Sequence, residues 1–351
     1  MEKYRKRYYV ALAAAALSVT LAAGCASDRL EKQAAARQTG IESMQRGAYQ
    51  EAIAAFDSAL SSSGGTIGER EIDICYYKAA AQYSSGDVEG ALATYNAMID
   101  YDKDNANAYY LRGCLRLQKG EASAAQEDFE SAVARNAKDY ALYIHIYENL
   151  SAHNLQAEGE EYLKKAFSIK GGDAADLSWR GKIYFLLGEY ENAKTELAAS
   201  LDKGGVEANL TLAQVYEAQG DSATAETYYK AYLDAGTADS EAMNALAEIE
   251  MAKLNYPAAL SYIEQGLAME AVPNRRELMQ NQMICMEYTA DFAGAWGVIQ
   301  EYIALYPEDM DAQREYIFLK NRQGVLSDAE AVYGEIVDNA GQIPQDTQAA
   351  E

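Results

Sequence analysis

One small residue recurs along this chain at a nearly constant spacing. Alanine, or glycine in one copy, occupies positions 52, 91, 125, 159, 193, 225, 259, 295 and 329. Successive copies are 39, 34, 34, 34, 32, 34, 36 and 34 residues apart. Composition alone does not produce a spacing this regular, so the sequence predicts about nine copies of one structural unit.

The residues around each small position indicate that the unit is helical. In one copy Ala125, Phe129, Ala132 and Val133 fall at i, i+4, i+7 and i+8, which is one face of an α-helix. Gly120 precedes this helix and predicts a turn, because glycine adopts a positive φ at little cost. A single helical hairpin cannot bury its own apolar face, so neighbouring units must stack on one another. The chain has only four prolines and no sustained alternation of apolar and polar residues, which favours an all-α fold.

This unit resembles the tetratricopeptide repeat (TPR), a helix-turn-helix unit of 34 residues. Arg112, Gly113 and Arg116 match part of the first-helix signature, whereas residues such as Tyr109 replace the family's tryptophan. The resemblance covers residues 33–338 and implies an all-α, right-handed α-solenoid of about nine TPR-like repeats.

The N-terminus has the three parts of a signal peptide. Basic residues come first, then twelve apolar residues from Val10 to Leu21, which are too few to span a bilayer, and then small residues up to Cys25. The ending LAAGC resembles the lipobox of bacterial lipoproteins, although its leucine stands four rather than three residues before the cysteine. The resemblance implies that residues 1–24 are removed, that Cys25 carries two acyl chains, and that residues 25–32 form a short tether. A plain secretory signal is the alternative.

Charge and the rarer residues argue against several functions. A net charge of −24 repels nucleic acid and anionic headgroups. The later cysteines, Cys75, Cys114 and Cys285, are odd in number and widely spaced, so they imply no disulfide framework. His145 and His153 belong to no cluster with metal-ligand spacing. We therefore expect no catalytic residue, metal or cofactor, and no enzyme activity.

The family resemblance implies that first helices line a concave surface where partners bind. Transferring the family's binding positions to this chain selects eight candidate residues, which are Tyr76, Tyr83, Tyr110, Leu117, Ile144, Phe185, Glu217 and Glu248. Aromatic and apolar residues in the first half and acids in the second half suggest a partner segment with hydrophobic anchors and basic flanks. The alternative is that these side chains are buried between neighbouring first helices.

Together these features predict a scaffold lipoprotein outside the cytoplasm, anchored to the cell membrane or to an outer membrane. We expect it to bind other envelope proteins or peptides, and the alternative function is a glycan-binding surface lipoprotein. Residues 327–338 form an amphipathic final helix that no capping helix follows, which predicts contact with a partner or with a second copy. Residues 339–351 are predicted to be a polar, disordered tail.

Overall fold

A computed structural model describes residues 28–65 and 67–322 of the chain. Across these residues the backbone forms seventeen α-helices and no β-strand. The chain divides into two compact units, the first ending at Lys170 and the second beginning at Gly171. None of the described helices is at once long and apolar enough to cross a membrane.

The first unit contains eight described helices, and consecutive helices pack against one another as hairpins. They are α1 (28–45), α2 (Tyr49–Ser61), α3 (Glu69–Ser84), α4 (Val88–Tyr101), α5 (Ala106–Gln118), α6 (Ala122–Arg135), α7 (Tyr140–Ala152) and α8 (Gln156–Ala166).

The second unit has the same arrangement, with nine described helices. They are α9 (Ala174–Leu186), α10 (Tyr190–Asp202), α11 (Ala208–Ala218), α12 (Ser222–Asp234), α13 (Ser240–Ala252), α14 (Tyr256–Leu267), α15 (Arg275–Tyr288), α16 (Phe292–Leu305) and α17 (Met310–Arg322). Stacked helical hairpins therefore build each unit, and the predicted all-α solenoid class is confirmed.

Several sequence predictions concern residues at the two ends of the chain. The signal peptide, Cys25, the ninth small residue Ala329 and the polar tail all lie outside the described residues. Residues 28–32, assigned above to the tether, are instead the start of α1. The buried side chain of Gln33 follows directly and donates a hydrogen bond to Glu71 of α3, so this end of α1 packs against the next hairpin.

Close contact between the two helices of a hairpin depends on one small residue. A Cβ atom added to Gly113 of α5 would lie 2.7 Å from the Phe129 ring of α6, well inside van der Waals contact. Gly181 and Leu197 have the same relation in α9 and α10, with a separation of 2.5 Å. The hairpin of α7 and α8 has its close approach at a different pair of positions. Tyr147 of α7 occupies the place of Gly113, and Gly159 of α8 occupies the place of Ala125. A Cβ atom added to Gly159 would lie 3.1 Å from Tyr147.

A buried ion pair joins the same two helices and explains the arginines of the first-helix signature. The Asp128 carboxylate of α6, only 3% exposed, accepts hydrogen bonds from Arg112 at 2.5 Å and from Arg116 at 2.8 Å. Arg180 and Glu196 form the corresponding pair, also at 2.5 Å, two repeats further along. Both carboxylates have an arginine partner, which at the buried Asp128 offsets the cost of removing its charge from water.

The turn between the two helices of a hairpin requires one residue with a positive φ. Glycine holds this position at Gly47, Gly86, Gly120, Gly188 and Gly220. Three turns have another residue there, namely Asn154, Leu254 and Ala290, at φ of 60° to 61°. Asparagine tolerates this conformation, but leucine and alanine adopt it at a cost of roughly 1 kcal/mol. The turns before α14 and α16 are therefore strained.

Replacing Ala290 by glycine should relieve this strain. We expect Ala290→Gly to raise the free energy of unfolding by about 0.5–1 kcal/mol, measured by chemical denaturation of the full chain. Ala293→Gly provides a matched control, because Ala293 is equally exposed but lies in the first turn of α16. There the same substitution should lower stability by up to about 1 kcal/mol. Equal effects at both positions would contradict the strained turn.

Candidate protein-binding surface

Three of the candidate tyrosines lie on first helices of the first unit. Tyr83, near the end of α3, is 43% exposed. Tyr76 and Tyr110 are half-buried, and both use their hydroxyl groups within the protein. The Tyr76 hydroxyl donates to Asn105 Oδ1 at 2.6 Å, and Asn149 Nδ2 donates to the Tyr110 hydroxyl at 2.9 Å. A partner would therefore meet part of the Tyr76 and Tyr110 rings rather than their hydroxyl groups, and much of the Tyr83 ring.

Two apolar candidates do not belong to an open surface. Leu117 of α5 is 3% exposed and Ile144 of α7 is 4% exposed. Their positions on the helix match the family's binding positions, but neighbouring side chains cover them. Both residues therefore contribute to packing, as the alternative interpretation expected, and we remove them from the candidate surface.

The thiol of Cys114 lies beside Tyr110 in this region. Burial raises its pKa to about 11, although a hydrogen bond to Tyr110 acts in the opposite direction. The thiol is thus protonated at neutral pH and is not an activated nucleophile. Burial also raises the pKa of Cys75, and it raises that of Cys285 to about 11. No cluster of three or more potential metal ligands occurs among the described side chains.

The remaining candidates lie on first helices of the second unit. Phe185 of α9 is half-buried against Tyr190, and the Lys182 ammonium lies 5.2 Å from the centre of its ring. Glu217 and Glu248 are exposed at the ends of α11 and α13. Glu217 accepts a hydrogen bond from the Tyr229 hydroxyl at 2.7 Å, and Glu248 accepts one from Asn244 at 2.8 Å. Both carboxylates remain accessible to a cationic group.

Sequence reasoning missed an exposed apolar patch in the second unit. Tyr288 at the end of α15 is 69% exposed and stacks on Tyr256, with ring centres 4.6 Å apart and planes within 3°. Ile284, one turn earlier on α15, and Leu254 in the preceding turn are also exposed. The same helical positions that selected the other candidates select Ile284 and Tyr288 when applied to α15. The sequence therefore contained the pattern that predicts these two residues, but in a repeat whose motif is weak.

Family models identify the repeating unit. A model described as "TPR repeat" matches residues 79–120, and two described as "Tetratricopeptide repeat" match residues 106–139 and 206–249. These segments of the chain match tetratricopeptide repeats. They include the turns at Gly86, Gly120 and Gly220, and the other described hairpins have a similar spacing and fold. No curated protein sequence matches this chain.

Solved structures with a similar arrangement are distant from this chain in sequence. A tetratricopeptide repeat protein from Parabacteroides merdae is 12% identical over 73% of this chain and 99% of its own, with a TM-score of 0.48. PilW, described as a widely conserved type IV pilus biogenesis factor, is 21% identical over 59% of this chain and 96% of its own, with a TM-score of 0.40. The pilF protein of Pseudomonas aeruginosa is 18% identical over 60% of this chain and 96% of its own, with a TM-score of 0.42. Similarity at this level does not indicate a partner.

The division between packing and surface residues can be tested by matched truncations. Leu117→Ala should lower the free energy of unfolding by about 2–5 kcal/mol, because it opens a cavity between packed helices. Tyr83→Ala should change stability by only about 0.5 kcal/mol, because its ring is largely exposed. Chemical denaturation followed by circular dichroism measures both values. A large loss of stability for Tyr83→Ala would mean that Tyr83, too, serves packing.

Proposed function

We propose that this protein is a membrane-anchored scaffold outside the cytoplasm, which binds protein or peptide segments through the first helices of its TPRs. TPR proteins characteristically bind other proteins, and this supports the general part of the proposal. The location and the anchor rest on the N-terminal sequence, and the binding surface rests on side-chain exposure.

The observation that carries the binding proposal is the exposure of large apolar side chains on first helices. Tyr83 in the first unit, and Ile284 and Tyr288 in the second, are each more than 40% exposed. Clustered apolar side chains that face solvent are characteristic of interaction sites. Tyrosine is also enriched among the residues that contribute most to binding, where truncation costs about 2 kcal/mol or more.

Glycan binding is the second candidate function, and the paired rings of Tyr256 and Tyr288 favour it. One face of the largely exposed Tyr288 ring is covered by Tyr256, and the other is a flat aromatic surface on which the apolar face of a sugar ring can stack. Sugar-binding sites also need several converging polar groups. Peptide binding needs only the apolar surface and nearby charges, so we prefer it.

Cross-linking in cells can test the binding surface. We expect a photoreactive amino acid at position 83 or 288 to capture a partner in the native envelope. The same residue at position 54 of α2 or 223 of α12 should capture much less, because both positions are exposed on second helices. Equal capture at all four positions would contradict a surface formed by first helices. Captured products that a glycosidase removes would support the glycan alternative instead.

Acyl labelling can test the membrane anchor. The wild-type protein should incorporate an alkyne-tagged fatty acid and sediment with membranes, because two acyl chains give stable attachment. Cys25→Ser should lose both the label and the sedimentation, whereas Cys75→Ser should keep both. Unchanged labelling of Cys25→Ser would show that Cys25 is not the site of acylation. A secreted, unlabelled wild-type protein would favour the plain secretory signal.

A further inference from the structure

The first unit contains an open cavity beside the predicted binding position of Tyr76. It lies between the start of α3 and the end of α4 and has a volume of about 470 Å³. Its lining consists of Gly68, Glu69, Ile72, Asp73, Tyr76, Tyr101 and Asp102. The volume falls within the range of ligand pockets, but the cavity is open to solvent, as expected for the binding of a side chain from a larger partner.

The walls of this cavity are apolar and aromatic. Ile72 and Tyr76 form the wall on α3, and the 54% exposed Tyr101 forms the wall at the end of α4. The Tyr101 hydroxyl donates to the carbonyl oxygen of Ile67 at 3.0 Å, and that of Tyr76 donates to Asn105. Since both hydroxyl groups have partners within the protein, these tyrosines offer mainly their rings to a ligand.

The rim of the cavity carries negative charge that the protein neutralises only in part. Glu69, Asp73 and Asp102 are all in the lining, which contains no basic residue. Asp73 pairs with Arg37 at 2.6 Å. Within the described part of the chain, neither Glu69 nor Asp102 takes part in an ion pair. A ligand that fits both walls and rim therefore has an apolar body and a positive charge.

The arrangement of the carboxylates favours an organic cation over a metal ion as the ligand of this cavity. Among the described residues no three acids, histidines or cysteines converge closely enough to hold a metal. Aromatic rings attract organic cations through their electron-rich faces, and the methylene stem of a basic side chain packs well on apolar walls. The cavity thus suits a guanidinium or ammonium group on a flexible stem.

We propose that this cavity binds an arginine or lysine side chain of the partner segment. This inference rests on the proposed scaffold function and names the chemistry of its partner. A second open cavity of about 630 Å³ shares Glu69 and Asp73 with the first. Its lining combines the apolar residues Leu30, Ala34 and Ile74 with the charged residues Glu31, Arg37 and Arg70. A residue next to the basic one along an extended segment can therefore place an apolar side chain there.

Arginine should bind more tightly than lysine in the first cavity. A planar guanidinium can stack on the Tyr76 or Tyr101 ring while its N–H groups reach the carboxylates at the rim. The compact ammonium of lysine is more strongly hydrated and does not stack in this way. The strongly acidic protein as a whole also attracts a basic segment, but without selecting any one position.

Peptide titration can test the cavity directly. The full chain in detergent is titrated with the fluorescent peptide Gly-Ala-Leu-Arg-Leu-Ala-Gly, and anisotropy gives the Kd. Replacing arginine by neutral citrulline, which has nearly the same shape, should weaken binding about fivefold or more, because the charge is lost near two unpaired carboxylates. The lysine peptide should bind with intermediate affinity.

Two neighbouring aspartates provide a matched pair of variants. Asp102→Asn should weaken binding of the arginine peptide about fivefold and largely remove its advantage over citrulline. The asparagine oxygen can still accept the Asp104 N–H, now 3.0 Å from Asp102 Oδ1, so the turn is kept. Asp104→Asn changes the net charge equally but lies outside the lining, and it should leave the Kd nearly unchanged. Tyr101→Leu, which removes the ring, should reduce the preference for arginine over lysine.

Several results would overturn the inference. Equal affinity for the arginine and citrulline peptides would show that the cavity does not recognise a cation. Equal weakening by Asp102→Asn and Asp104→Asn would assign the effect to the overall acidity of the protein. Cross-linking from position 83 separates this inference from the scaffold proposal. If position 83 captures a partner but the peptides show no preference for arginine, only the inference about the cavity is contradicted. If position 83 captures no partner, the scaffold proposal is contradicted, and the peptide titration still tests the cavity.

Discussion

The rest of this structure depends on the close approach of two helices at one small residue. Gly113 leaves space for the Phe129 ring, and Gly181 does the same for Leu197 two repeats further along. Interiors are packed so densely that a side chain added at either glycine would displace its partner. The contact fixes the separation and rotation of the two helices, and so determines which face of each hairpin remains for its neighbour. The 34-residue spacing in the sequence is the spacing of this contact.

The candidate binding surface is a consequence of this packing, because a first helix has only a narrow stripe left for solvent. Where other side chains cover the stripe, as at Leu117 and Ile144, an apolar residue belongs to the core. Where they do not, as at Tyr83 and Tyr288, a large apolar side chain remains exposed. Each unit therefore offers a partner particular exposed side chains rather than every apolar residue at the family's binding positions.

The sequence predicted features that depend on contacts within one repeat. Helices, their turns and the buried small residues all follow from local periodicity, and the glycine of each clear copy does adopt a positive φ. Burial of Leu117 and Ile144 could not be predicted, because it depends on how far a neighbouring repeat covers a helix. The cavity at Tyr76 was missed for a similar reason, since Tyr101 and Asp102 come from the end of a second helix, where the family's binding positions do not apply.

The unusual turns of the second unit have a consequence for the mechanics of the repeat array. In a linear array each repeat contacts only its neighbours, so opening begins where the local free energy is lowest. Leu254 and Ala290 lie in strained turns on either side of α14 and α15, while every described turn within a hairpin before Asn154 has glycine at this position. Among the described hairpins of the second unit, we therefore expect opening under load to begin at these two turns. The stacked rings of Tyr256 and Tyr288 join the two repeats there, so a ligand that holds the rings together would strengthen this junction.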